Sequence, residues 1–270
     1  LPNFLLPEGQ EKLNKPVPDV NSTRKMKNTS LVILFLLIPL SVFSQDVIRI
    51  TPDLELFRIS ENAYVHVSYS TVEGYGRISA NGLIFINKNK AFLFDTPWND
   101  SQTSALVSYI KDKMKLEIEG FAPNHWHADC MGGLQYLKSQ KIKSYANQVT
   151  IEIAEKLGLP VPDAGFRDSL KLPLGDKFIY CYFFGAAHST DNIVVWIPSE
   201  DLLFPGCMCK SINSENLGNI SDGDLSEYPK TISKVIHKFR AAKIVIPGHG
   251  PIGGPELLTH TEALIARQKH

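Results

Sequence analysis

Between Pro123 and Gly133 the chain reads Pro-Asn-His-Trp-His-Ala-Asp-Cys-Met-Gly-Gly, after a β-rich stretch (Leu116–Phe121) and before a helix-forming run. In extended backbone, side chains at i and i+2 point the same way, so His125 and His127 can grip one ion together. Asp129, two residues further on at a strand-to-helix turn, can point into the same pocket. A His-x-His pair by itself is more often structural than metallated. Three more donors repeat the strand-end context downstream: His188 after Cys181–Ala187, Cys207 after Leu202–Gly206, and His249 after Ile244–Gly248. Any one of these, taken singly, reads as a buried His or Cys beside a turn. Recurring after an HxHxD loop, they read as one metal constellation. The six donors suffice for two zinc ions, and imidazole, carboxylate and thiolate are the ligand types zinc accepts.

Composition excludes several other classes. The 270 residues carry 28 basic and 28 acidic groups, so there is no positive excess for neutralising nucleic-acid phosphates. A 43% hydrophobic content is not that of a disordered chain, and four cysteines are too few for a disulfide scaffold. The apolar run Leu31–Phe43 follows Arg24, Lys25 and Lys27 and precedes small or polar residues. A bilayer span needs about 20 apolar residues, so this run reads as a secretory signal peptide over 26–44, cleaved after Ser44. The first methionine is Met26, and residues 1–25 are read as an upstream extension outside the native protein. No cysteine stands at the cleavage position, so no lipid anchor is predicted. The exported domain is then 45–270, with 23 basic and 25 acidic residues. It is expected in the periplasm, free of the membrane once the signal is removed.

The exported part reads as strands over 46–59, Tyr64–Tyr69, Gly82–Asn87 and Ala91–Asp95, with a mobile hairpin loop over Thr71–Arg77. Asn99 and Asp100 can cap a helix in which Leu106, Val107, Ile110 and Met114 share a face. Helices near Gly133–Ser139 and Thr150–Leu157 follow, then strands over Phe178–Phe184, Asn192–Ile197, Leu202–Phe204 and Lys243–Ile246. The last helices are predicted over Leu225–Phe239 and Pro255–Arg267. With no linker and no repeat, the pattern predicts one layered α/β domain with helices outside two sheets.

The series His125-x-His127-x-Asp129, His188, Cys207, His249 resembles the zinc metallo-β-lactamases of class B. So do Asp95-Thr-Pro-Trp98, Asn147-Gln-Val149, His188-Ser-Thr-Asp-Asn-Ile-Val-Val-Trp196, Cys207-Met-Cys-Lys210, Leu217-Gly-Asn-Ile220 and Pro247-Gly-His-Gly250, in the family's chain order. The similarity covers nearly all of 46–268. Cys130 directly after the motif Asp, His125 at the first motif position and a thiolate at Cys207 select the first subclass. The resemblance implies a four-layer αββα sandwich with a binuclear zinc site between the sheets. It also implies hydrolysis of the β-lactam amide in penicillins, cephalosporins and carbapenems, and so antibiotic resistance, by a monomer.

By that resemblance His125, His127 and His188 hold the first zinc, and Asp129, Cys207 and His249 the second. Zinc lowers the pKa of bound water to about 7, which supplies hydroxide to attack the lactam carbonyl. Asp129 orients that nucleophile, Asn219 assists the oxyanion, Lys210 anchors the substrate carboxylate, and Val72 and Tyr75 belong to a flap over substrate. Asp95 is expected to hydrogen-bond a ligand histidine, and Trp98 and Trp196 to sit in the core. Cys130 and Cys209 are read either as thiols near the site or as small buried hydrophobes, and Cys181 as core. His66, His237, His260 and His270 are assigned to surface or packing. Two other readings are a zinc hydrolase of the same fold acting on another ester or amide, and a zinc-binding protein that sequesters drug.

Overall fold

Runs rich in β-branched and aromatic residues form the strands. The computed structural model describes residues 47–268; the segments 1–25 and 26–44, and His270, lie outside the described residues. Six strands form one sheet in chain order: β1 (Val47–Thr51), β2 (Leu54–Arg58), β3 (Ala63–Val72), β4 (Gly76–Asn87), β5 (Lys90–Phe94) and β6 (Glu117–Ala122). All pairs are antiparallel except β5–β6, which is parallel and joined through α1 (Asp100–Ser108). Two short helices, α2 (Ala128–Met131) and α3 (Leu134–Ser139), follow β6. A small parallel pair, β7 (Tyr145–Asn147) and β8 (Ala164–Phe166), flanks α4 (Gln148–Leu157).

The second sheet has the order β13-β12-β11-β10-β9, from β9 (Ser169–Leu174), β10 (Lys177–Phe183), β11 (Ile193–Ile197), β12 (Leu202–Gly206) and β13 (Ile244–Pro247). Here the parallel pair is β12–β13, with α5 (Tyr228–Lys238) between them in sequence and α6 (Glu256–Arg267) closing the described chain. No helix among the described residues is long and apolar enough to cross a membrane.

Strand periodicity explains the layering. Leu83, Phe85, Phe92 and Phe94 join Ile179, Val195, Phe204 and Ile246 in the seam between the sheets. The alternate residues Ile84 and Leu93 point the other way, against Leu106, Val107 and Ile110 of the α1 segment and Leu134 and Leu137 of α3. Likewise Val194, Leu203 and Val245 pack outward against Ile232, Val235 and Leu264 of α5 and α6. Strands buried on both faces read as continuous apolar runs because both successive side chains enter a core. The result is the expected αββα sandwich.

Five local readings differ from the structure. The run 46–59 is two strands, because Pro52 lacks an amide hydrogen for the ladder and Pro52-Asp53 makes the turn between β1 and β2. The predicted loop 71–77 narrows to a tight turn between Val72 and Gly76, where Gly74 and Gly76 take φ of 79° and 75°. Strand β9 was not foreseen; Lys171 and Pro173 suit it to a sheet edge. The first predicted helix has its Asn99 cap, accepting from Gln102 N at 3.0 Å, but Tyr109–Lys113 widens into a π turn that keeps Ile110 buried. Helix α5 begins at Tyr228 rather than Leu225, with Pro229 in its first turn.

Candidate metal centre

The donors gather at one edge of the sandwich because each follows the end of a strand or the loop beside it. His125, His127 and Asp129 follow β6, His188 lies between β10 and β11, Cys207 follows β12 directly, and His249 follows β13. The loop before β11 and the loop after β6 are stapled together. Ile193 N donates to Asn124 O at 2.9 Å, and Asn192 Nδ2 donates to Asn124 Oδ1 at 3.1 Å. Asp191, fully buried, accepts from Trp126 N at 3.0 Å and Thr150 Oγ1 at 2.7 Å, and also from Ser189 Oγ. These bonds bring His188 to His125. At Gly248 a side chain would meet the Cys207 backbone nitrogen at 2.6 Å, so glycine lets β13's end approach the Cys207 turn.

Two groups of donors result. His125 Nε2 lies 2.8 Å from His127 Nδ1, and with His188 the three imidazoles offer nitrogens all within 4.8 Å of one another. Beside them stands a triangle: Cys207 Sγ to Asp129 Oδ2 3.4 Å, Cys207 Sγ to His249 Nε2 3.3 Å, and His249 Nε2 to Asp129 Oδ2 3.2 Å. Tetrahedral zinc with bonds of about 2.0–2.3 Å requires donor separations of roughly 3.3–3.8 Å, so this triangle fits the ion closely. Two zinc ions fit the donor set.

The second nitrogen of a ligand histidine fixes which nitrogen faces the metal. His249 Nδ1 donates to Ser79 O of β4 at 2.6 Å, leaving Nε2 toward Cys207 and Asp129. His127 Nε2 pairs with Asp222 Oδ2 at 3.1 Å, leaving Nδ1 toward His125. His125 Nδ1 lies 3.2 Å from Cys130 Sγ.

Charge follows the packing. Burial lowers the His125 pKa to about 3, reinforced by His127, and burial also lowers that of His188. Burial opposes ionisation of Asp129, but the hydrogen bond from His249 and the neighbouring imidazoles hold its carboxyl well below the usual range. A hydrogen bond from Cys130 lowers the Cys207 thiol below its ordinary value, against its burial. Burial lowers the Lys210 ammonium, and attraction to Cys207 and Asp129 offsets this only in part.

Above the donors opens a cavity of about 440 Å³. Val72 and Tyr75 line it from the β3–β4 turn, Lys210 and Asn219 from the opposite loops, and Trp98, Trp126 and Ile78 supply apolar wall. Asn219 Oδ1 accepts from Ser221 N at 3.1 Å, which leaves its Nδ2 hydrogens as donors.

Two expectations need correcting. Asp95 bonds no ligand histidine: its Oδ1 accepts from Asn124 N at 2.5 Å, and burial pushes its carboxyl well up. It therefore supports the loop ahead of His125. Trp98 is not core; it lines the cavity, donating its Nε1 hydrogen to Ser68 O at 3.2 Å. Of the two readings open for Cys130 and Cys209, the structure takes one for each: Cys209 is buried under α6 against Thr261, and Cys130 lies among the donors. Cys181 and Trp196 pack as expected, in the sheet seam and against Phe239 respectively. Of the remaining histidines, His66 is buried, His237 pairs with Arg240, and His260 meets Ser214 O. Asp222 went unrecognised because nothing in its local sequence marks a partner 95 positions away.

A strand-end cluster of this kind, between stacked sheets with helices outside, defines a binuclear metallohydrolase fold. No protein-family model matches the chain. It is 45% identical over 237 residues to a metallo-beta-lactamase type 2 from Bacteroides fragilis, covering 88% of this chain and 95% of that one. The crystal structure of VMB-1 superposes with a TM-score of 0.78 at 38% identity, covering 82% of this chain and all (100%) of the other. A metallo-beta-lactamase from Pontibacter korlensis superposes at 0.77 with 34% identity, covering 80% of this chain and 100% of the other. The chain belongs to the metallo-β-lactamase family and is closely related to its class B, subclass 1 enzymes.

Proposed function

We propose that this protein is a zinc-dependent β-lactamase that hydrolyses the lactam amide of penicillins, cephalosporins and carbapenems. The observation that carries the reading is the pair of adjoining donor groups on the floor of one cavity whose wall holds a buried lysine. His125, His127 and His188 would hold one zinc, and Asp129, Cys207 and His249 the other. Bound zinc supplies Lewis acidity toward a carbonyl and acidifies water at neutral pH.

The chain's own residues do the rest. Lys210 attracts the carboxylate that bicyclic β-lactams carry beside the lactam nitrogen, and so sets the ring over the floor. Asn219 Nδ2 donates to the lactam oxygen as negative charge grows there. Asp129, held ionised by His249, accepts a hydrogen bond from the attacking water and orients it. Val72, Tyr75 and Ile78 cover the apolar part of the substrate and reduce the water around it. No covalent intermediate on a side chain is needed.

The reading includes export: residues 26–44 act as a signal peptide, and the domain 45–270 works as a monomer in the periplasm. It confers resistance there by destroying drug before it reaches its targets. Fractionation of expressing cells tests the location.

Carbapenem turnover by the purified domain tests the activity. Turnover is expected to vanish with a chelator and return with zinc. A zinc-loaded protein without turnover would sink the reading, and turnover indifferent to chelation would sink its chemistry.

A further inference from the structure

The turn that carries His249 has little of its own to hold it still. Gly248 and Gly250 flank the histidine, so the backbone on either side has no side chain to anchor it and wide conformational freedom. The segment Gly248–Ile252 leaves β13 and turns back on it. It is closed only at its base, where Val245 N donates to Gly253 O at 2.8 Å and Gly253 N to Val245 O at 3.1 Å. On one side, Gly250, Pro251 and Ile252 border a second cavity, of about 530 Å³, faced by Val65 and Val67 of β3. Close packing therefore does not fix the turn from that direction.

Hydrogen bonds from one residue of β4 do. Asn81, buried at 4% exposure, donates its backbone N–H to Gly248 O at 2.8 Å. Its Nδ2 donates one hydrogen to Pro247 O and the other to Gly250 O, each at 2.9 Å. Two carbonyls facing one side-chain atom require a nitrogen bearing two hydrogens, which Asn has and Asp, Ser and Thr lack. The three bonds hold the carbonyls at 247, 248 and 250, on both sides of His249. Two residues earlier on the same strand, Ser79 O accepts from His249 Nδ1 and turns the ring. Together these contacts set His249 Nε2 at 3.3 Å from Cys207 Sγ and 3.2 Å from Asp129 Oδ2.

We propose that Asn81 is a positioning residue for the second zinc: its clasp on the Pro247–Gly250 turn fixes where His249 stands and so how tightly that ion is held. The inference rests on assigning Asp129, Cys207 and His249 to the second ion. Its effect is confined to that ion, because His125, His127 and His188 come from the loops after β6 and before β11, which Asn81 does not hydrogen-bond. Removing a group that orients a metal ligand costs about 10- to 100-fold in metal affinity, and the clasp acts on the ligand whose own backbone is least constrained.

The test is titration of the metal-free full chain with zinc and, separately, with Co(II), which absorbs where zinc is silent. The thiolate-to-cobalt absorption reports the ion on Cys207. Asn81→Leu keeps about the same length without donors and should weaken the second ion about 10- to 100-fold while the first stays within about twofold. Asn81→Ser keeps one donor and should fall between Asn81→Leu and the wild type; it also supplies the comparison should Asn81→Leu fail to fold. Leu83→Val, in the sheet seam two residues along β4, should lower the thermal midpoint and leave both titrations unmoved. Wild-type affinities in the Asn81 variants, equal weakening of both ions, or weakening of the second ion in Leu83→Val as large as in Asn81→Ser would each overturn the proposal. A wild type without the thiolate absorption would overturn the ligand assignment and this inference with it. A normal wild-type absorption unmoved in the variants would overturn this inference alone. None of these readouts uses β-lactam turnover, so the substrate reading stands or falls separately.

Discussion

The floor of the cavity and its rim are built differently. On the floor, His125, Asp129, Cys207 and His188 are buried and tied by bonds from loops far apart in sequence. On the rim, Tyr75 is 61% exposed at the tip of a tight turn, and Asn219 sits in an exposed turn closed by its own side chain. Burial makes charge interactions on the floor strong and their geometry exacting, so small changes there cost whole ions. The rim supplies surface, and the buried Lys210 in the wall between them one charge, which together recognise a class of substrates rather than a single one.

If that contrast holds, Cys207→Ala should have the largest effect. It should lose the second zinc, seen as a drop in metal stoichiometry, and lower kcat/KM by about a thousandfold, roughly 4 kcal/mol. Full activity in that variant would break the assignment of the floor.

The next effect is on stability and concerns a histidine beneath the floor. His66 is fully buried, donates Nε2–H to Asp95 O at 3.0 Å, and has its pKa lowered by burial to about 4. Protonation then favours the unfolded chain, where the imidazole titrates near its ordinary value. The stability from neutral His66 is present above about pH 6.5 and is lost as pH falls toward about 4, by roughly 3 kcal/mol at most. The thermal midpoint should fall through that window in the wild type and less steeply in His66→Gln. Identical profiles would show that another group governs the acid side.

Lys210→Glu should come third, raising KM about tenfold while changing kcat less, as measured by steady-state kinetics on a carbapenem. The reverse split would place Lys210 on the floor's side of the comparison. Tyr75→Ala should be smallest, a change in KM of about two- to fourfold, in keeping with the loss of partly exposed apolar contact. A hundredfold effect there would erase the distinction between floor and rim.

Much of the floor was legible in the sequence, and the rim less so. The six donors could be read because each follows an apolar strand run or stands in the loop after one, and such runs are marked where they meet Gly, Pro or a turn. Their partners could not. Asp222 against His127, Ser79 O against His249 and Asp191 against Trp126 join segments whose distance is set by the stacking of two sheets. Trp98 has the composition of core and the position of a wall, because the cavity edge falls where Ser68 of β3 meets it.

What the sequence determined by itself was therefore local: which side chains alternate into two cores, where strands stop, and which donor types stand at those stops. The backbone's own periodicities dictate these features, and they need no knowledge of distant residues. The tertiary structure decided which thiol faces the metal site and which does not. Cys130 and Cys209 each lie within two residues of a donor, yet α2 turns one toward His125 while α6 covers the other. That choice depends on how helices pack across sheets, a contact between segments that no local pattern encodes.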